Sequence, residues 1–182
     1  MRHIAEAKKK TNIAEYLLYM WQMEDLIRGL KFDFKALEQS VLAGIDDEEQ
    51  RRESAVWFAD LMKQMQTQQL KTGGHLEETY EILGELQFLG HTLSTVVGDA
   101  AFKKVVAEVQ PLLAEFRTKT DKVPMSDIET ALTAVYGYLS LKLAGKEVTS
   151  ETESAVKVFT TYLAHLSRGY REMKSGRLPM NN

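Results

Sequence analysis

The sequence predicts an all-α protein, a single-domain bundle of six or seven mostly antiparallel helices, and three observations carry that prediction. Apolar residues recur at alternating steps of three and four along most of the chain, the period that gathers them on one side of an α-helix. Only three prolines and eleven glycines interrupt 182 residues, which leaves long stretches free of helix breakers. No run alternates with period two around a tight Asn-Gly or Asp-Gly turn, so no strand competes. A chain of this length fills one well-buried core, and residues 1–182 are read as one domain with a loose basic segment at 1–11 and a loose tail at 176–182.

The organising helix is 12–30. Ile13, Tyr16, Met20, Met23, Ile27 and Leu30 form its inner seam, and Leu17, Trp21, Glu24 and Arg28 run beside that seam. Asn12 with Glu15 has the spacing of a capping box, and Glu24 with Arg28 that of a helical ion pair worth about 0.3–0.5 kcal/mol if exposed. Asp33 caps a short helix carrying Phe34, Leu37 and Val41, which Gly44 should end in a left-handed conformation. Asp46 and Glu49 open a helix that runs to about Leu70 and is stopped by Gly73 and Gly74; its apolar side is Trp57, Phe58, Leu61, Met62 and Met65.

The helix predicted over 76–97 has three faces. Ile82, Leu86, Leu89, Leu93, Val96 and Val97 form its core stripe, Tyr80, Gly84, Gln87 and His91 lie beside it, and Glu77, Glu78, Glu81 and Glu85 form an acidic row. Gly98 and Asp99 turn into a helix whose rhythm from Phe102 to Phe116 continues through Pro111, predicting one kinked helix. After a polar loop over 118–125, Ser126 with Glu129 caps a helix along Ile128, Leu132, Val135 and Leu139 that ends at Gly145. Ser150 with Glu153 caps the last, along Val156, Phe159, Leu163, Leu166, Tyr170 and Met173. No fixed repeat marks a solenoid.

The absence of cysteine removes disulfides, thiolate catalysis and the usual structural zinc sites. A net charge of −3 gives no general attraction to nucleic acid or to an anionic membrane, and neither is expected as a partner. No run approaches the length of a membrane span. The apolar stretch after basic residues 1–10 is cut by Glu15, Glu24 and Asp25 and offers no small-residue cleavage site, so the protein is read as cytoplasmic.

The segment IAEAKKKTNIAEYLLYMWQMEDLIRGL resembles the opening of a family of uncharacterised all-helical bacterial proteins, a domain of unknown function, most specifically over residues 12–28. The resemblance implies a bacterial, helical, intracellular protein and brings no catalytic residues with it.

Several positions are candidate sites. The acidic row could gather a hard cation, but no Glu-x-x-His pair or His-Glu-x-x-His pattern accompanies it, and it is read as a solvated or ion-paired face; no metal and no cofactor is expected. Tyr80, Gly84, Gln87 and His91 form the better pocket candidate. A helical glycine costs about 1 kcal/mol against alanine, so Gly84 calls for a close helix crossing, the preferred explanation, or for ligand space. Trp21, Glu24 and Arg28 would face it from the first helix. His165 is read as a packed or surface histidine, and His3 and His75 lie at a terminus and a helix start. Leu17, Leu18 and Trp21 are candidates for a homodimer interface, because helix 12–30 carries more apolar surface than one neighbour covers.

The leading functional reading is a non-enzymatic protein that works through association with an unknown protein partner, self-association included. The alternative is a small-molecule-binding bundle or enzyme with its pocket between the first helix and the Tyr80, Gly84, Gln87 and His91 face.

Overall fold

The computed structural model describes residues 1–120 and 125–178. Its α-helices are Arg2–Thr11 (α1), Ile13–Gly29 (α2), Phe34–Ser40 (α3), Glu48–Thr67 (α4), Glu77–Thr92 (α5), Ala100–Thr118 (α6), Asp127–Leu143 (α7) and Ser150–Lys174 (α8). A 3-10 turn, Leu42–Gly44, follows α3, and a π turn, Leu93–Val97, extends α5. The described residues contain no strand.

The helix beyond the predicted six or seven is α1, in the segment read as loose. Residues 2–11 hold no glycine or proline, and Lys8, Lys9 and Lys10 complement the negative end of the helix dipole. Its own apolar stripe is thin, so packing holds it: α1 lies against α2 and α4, Ala5 is buried, and the Tyr19 hydroxyl donates to the Met1 carbonyl at 3.3 Å. At the junction, the Asn12 side chain accepts from the Glu15 N–H at 3.3 Å. The reciprocal half of the box does not form, because the Asn12 N–H already closes α1 on the Lys8 carbonyl at 2.7 Å. Glu15 instead accepts from the Asn12 amide and from Lys8.

The chain groups into two compact units, Met1–Glu81 and Ile82–Asn182, where the sequence suggests one domain. In the first, α2 packs on α1 and α4, and every residue from Tyr16 to Trp21 is buried. In the second, α6, α7 and α8 pack pairwise, with Phe102, Val109, Leu113, Leu132, Phe159 and Leu166 in the core.

Two caps shift by one residue. Asp47, not Asp46, accepts from the N–H groups of Glu49 and Gln50, and Thr149, not Ser150, accepts from that of Thr152. Ser126 and Glu129 make the full capping box. Gly44 is not left-handed; Val41 caps α3, and the positive φ angles near α2 belong to Lys31 (54°) and Phe32 (60°). Proline 111 sits inside one continuous α6. Gly98, at φ 68°, ends the π turn, and Asp99 caps α6 through the Phe102 N–H at 2.9 Å. The loop expected over 118–125 includes residues 121–124 and the tail includes residues 179–182, which lie outside the described residues.

Candidate functional site

In the first unit, the polar end of α2 is a closed cluster. Glu24 is fully buried; its Oε1 accepts the Leu76 N–H at 3.0 Å, and its Oε2 lies 2.6 Å from His75 Nδ1. Trp21 stacks on the His75 ring with centroids 4.2 Å apart. Arg28 Nη2 is 3.7 Å from Glu24, so the helical pair is present but secondary. The Arg28 guanidinium donates chiefly to the carbonyls of Leu70 (3.0 Å) and Gly74 and to Asp25 (2.6 Å). Together these groups pin the segment from Leu70 to Leu76 onto α2. Trp21, Glu24 and Arg28 therefore do structural work in the described fold, and their fourth member, His75, was read only as a residue at a helix start.

The interface candidates on the same helix are covered by the chain itself. Leu17 is 0 % exposed, Leu18 9 % and Trp21 4 %, which leaves a second copy no face there to grip. Tyr19 is also buried, which pushes its phenol up to about 12.

The acidic row divides among partners. Glu78 accepts from Lys9 (2.5 Å) and from Tyr16 (2.7 Å). Burial works to raise its pKa, but the hydrogen bonds from Lys9 and Tyr16 and the charge of Lys9 together outweigh burial and hold it below the usual carboxylate value. Glu85 accepts from Lys174 (2.6 Å) and from Tyr170 (2.5 Å) in the second unit. Among the described residues no three His, Asp or Glu side chains gather where they could hold a metal ion.

Tyr80, Gly84, Gln87 and His91 are all exposed. No atom lies within 4 Å of where a Gly84 Cβ would stand, so neither a close crossing nor an enclosed pocket explains that glycine. The crossings fall elsewhere: a Cβ on Gly90 would meet Leu166 at 3.5 Å, and one on Gly169 would meet Leu93 at 3.1 Å. Gly84→Ala removes a helical glycine at no steric cost, and thermal unfolding is expected to show a gain of about 0.5–1 kcal/mol. A loss would show that the exposed position is constrained.

Gln87 and His91 do line a cleft of about 320 Å³ in the second unit. Gly90 and Ser94 complete its α5 side; Phe102 and Val106 come from α6, Ser126, Asp127 and Ile128 from the start of α7, and Tyr162 from α8. Tyr162 is only 5 % exposed and its ring stacks on Phe102 at 6.0 Å, yet its hydroxyl has no hydrogen-bond partner among the described residues. The ring is buried but the hydroxyl opens onto the cleft, where it can donate to and accept from whatever occupies that space. Burial, reinforced by the neighbouring Asp127 and opposed by Arg117, raises the phenol's pKa and keeps it a neutral donor. The side chains of Gln87, His91 and Ser94 are likewise uncommitted among the described residues. Asp127, by contrast, is saturated by Arg117 and Gln110, both at 2.6 Å.

Two other clefts also hold uncommitted polar side chains, Asp60 and Gln64 in one and Glu151 in the other, but no buried phenol without a bond in the fold among the described residues. One of about 300 Å³ between α1, α2 and α4 has Arg2, Glu6 and Lys9 on its walls, and these already take part in ion pairs. The largest, about 570 Å³ along α6, α7 and α8, has an apolar floor of Leu112, Phe116, Val156 and Phe159. Two pairs on its rim satisfy each other, Lys119 with Glu115 and Thr149 with Thr152. Size does not single out the Gln87 and Tyr162 cleft; the Tyr162 phenol, on a nearly buried side chain with no bond in the fold among the described residues, does.

Fold and cleft define an all-helical protein with a polar cleft at the junction of four helices, and no described helix is long and apolar enough to cross a membrane. The chain belongs to the family described as Domain of unknown function (DUF4924), which matches residues 2–177. Neither the curated proteins nor the solved structures contain a match to it.

Proposed function

We propose that the protein binds a small molecule in the cleft lined by Gln87, His91, Ser94 and Tyr162. The observation that carries this reading is the Tyr162 hydroxyl, on a side chain 5 % exposed, open to the cleft and without a hydrogen-bond partner among the described residues. Gln87 and His91, one helical turn apart on α5, supply further donors and acceptors, and Phe102, Val106 and Ile128 supply apolar surface. The pocket expected from the sequence thus keeps two of its residues, Gln87 and His91, and gains Ser94 and Tyr162.

A thermal-shift screen of small metabolites tests the reading, because a ligand of the native state raises its stability by about 2.7 kcal/mol at one hundred times its Kd. Ser94→Leu fills the cleft from its half-buried edge. A compound should raise the melting temperature of the wild type and not of that variant; a screen without such a compound counts against a ligand site.

Self-association is a second reading, and Phe88 favours it, being 66 % exposed on α5 beside Gly84. Gly84, Gln87, Phe88 and His91 carry no fixed charge themselves, with exposed Glu81 at the edge of the same face. Light scattering coupled to size exclusion decides it: dimer formation with concentration, abolished by Phe88→Asp, supports the contact, and a strict monomer removes it.

A further inference from the structure

We infer that the occupant of this cleft is an uncharged polyhydroxylated compound, a free sugar or a sugar-like polyol, an inference that rests on reading the cleft as a ligand site. The side chains left to meet a ligand are an amide, an imidazole, an aliphatic hydroxyl and a phenol, those of Gln87, His91, Ser94 and Tyr162. Each of the four both donates and accepts hydrogen bonds. The ligand group that answers all of them is the hydroxyl, which does the same.

Charge argues in the same direction. Arg117, the guanidinium bonded to the cleft's Asp127 at 2.6 Å, is also committed to the Met125 carbonyl at 3.1 Å and to Thr130 at 3.2 Å. Asp127, the one carboxyl on the cleft wall, has both oxygens occupied. Among the described residues a phosphate or carboxylate would find no arginine or lysine on the walls and would lie against the Asp127 carboxyl, while an ammonium would meet a carboxylate already paired with Arg117. Buried Phe102 and Ile128, with half-buried Val106, give an apolar floor for the C–H face of a sugar ring. The volume of about 320 Å³ equals roughly ten waters at about 30 Å³ each, room for a monosaccharide.

Saturation-transfer NMR and calorimetry at pH 8 decide this with defined probes. The uncharged set is D-ribose, D-glucose and myo-inositol; the comparison set is glucose 6-phosphate, nicotinamide and adenine. At least one uncharged polyol should bind the wild type, bind Tyr162→Phe and Gln87→Leu about tenfold more weakly, and exceed glucose 6-phosphate. Tyr162-dependent binding of glucose 6-phosphate, nicotinamide or adenine in preference to every polyol would overturn the polyol inference and leave the ligand site standing. Polyol binding unchanged in both variants would place it outside the cleft and overturn the inference. Binding by no compound of either set, together with a blank metabolite screen, would overturn both.

Discussion

Glu24→Ala is expected to lower the stability of the first unit by about 3 kcal/mol, the largest effect of any polar substitution in the chain. The side chain is 0 % exposed and holds three groups at once: the Leu76 N–H, the His75 ring and, more distantly, Arg28. Alanine leaves a buried N–H without an acceptor and a guanidinium beside a void, and such orphaned groups keep their full desolvation cost. Glu24→Gln should lose less, because the amide oxygen still accepts from Leu76 and the His75 ring can change tautomer to accept from the amide N–H. Urea unfolding followed by circular dichroism measures both. A loss under about 1 kcal/mol for the alanine variant would mean that the segment after Leu70 is held by something other than Glu24.

Gly169→Leu is expected to cost about 3 kcal/mol in the second unit, at the upper end of what overpacking does. A Cβ at this position would stand 3.1 Å from Leu93 and 3.5 Å from Leu89, so a full leucine side chain has nowhere to go unless α8 moves away from α5. Gly169→Ala should be near neutral, since Leu93 yields a few tenths of an ångström and alanine recovers up to about 1 kcal/mol of helix propensity. Thermal unfolding of the pair separates close packing from a merely local helix effect. Equal stabilities for the alanine and leucine variants would show that the crossing is looser than 3.1 Å implies.

These two positions also mark where sequence reasoning succeeds and where it stops. The seam of α2 and the Ser126 capping box were legible because the period of an α-helix and the reach of a capping side chain are local properties. The single-residue shifts at Asp47 and Thr149 arise where two adjacent residues are both able to cap, and packing decides between them. Helix α1 was missed because Ile4 and Ala5 make too thin an apolar stripe to announce it; α2 and α4 supply what its own sequence lacks.

Gly84 drew attention as a helical glycine in need of a reason, whereas Gly169, which has one, lies in a helix whose apolar rhythm hides it. Glu24 stood out as a carboxyl within an apolar helix, but its partner His75 comes from a loop 51 residues on, and no local pattern encodes that meeting. The cleft was half legible for the same reason: Gln87 and His91 share a helix face, while Tyr162 arrives from α8, beside but outside that helix's apolar seam.

If the Tyr162 hydroxyl is kept for a ligand, the stability of Tyr162→Phe in urea will show it. A hydroxyl that bonds within the protein contributes about 1 kcal/mol, whereas one that opens onto a cleft without a partner in the fold contributes little. Ligand-free Tyr162→Phe should be about as stable as the wild type while losing the stabilisation that a bound compound confers. A ligand-free loss of about 1 kcal/mol or more would show that the hydroxyl is already bonded within the fold and would contradict the claim.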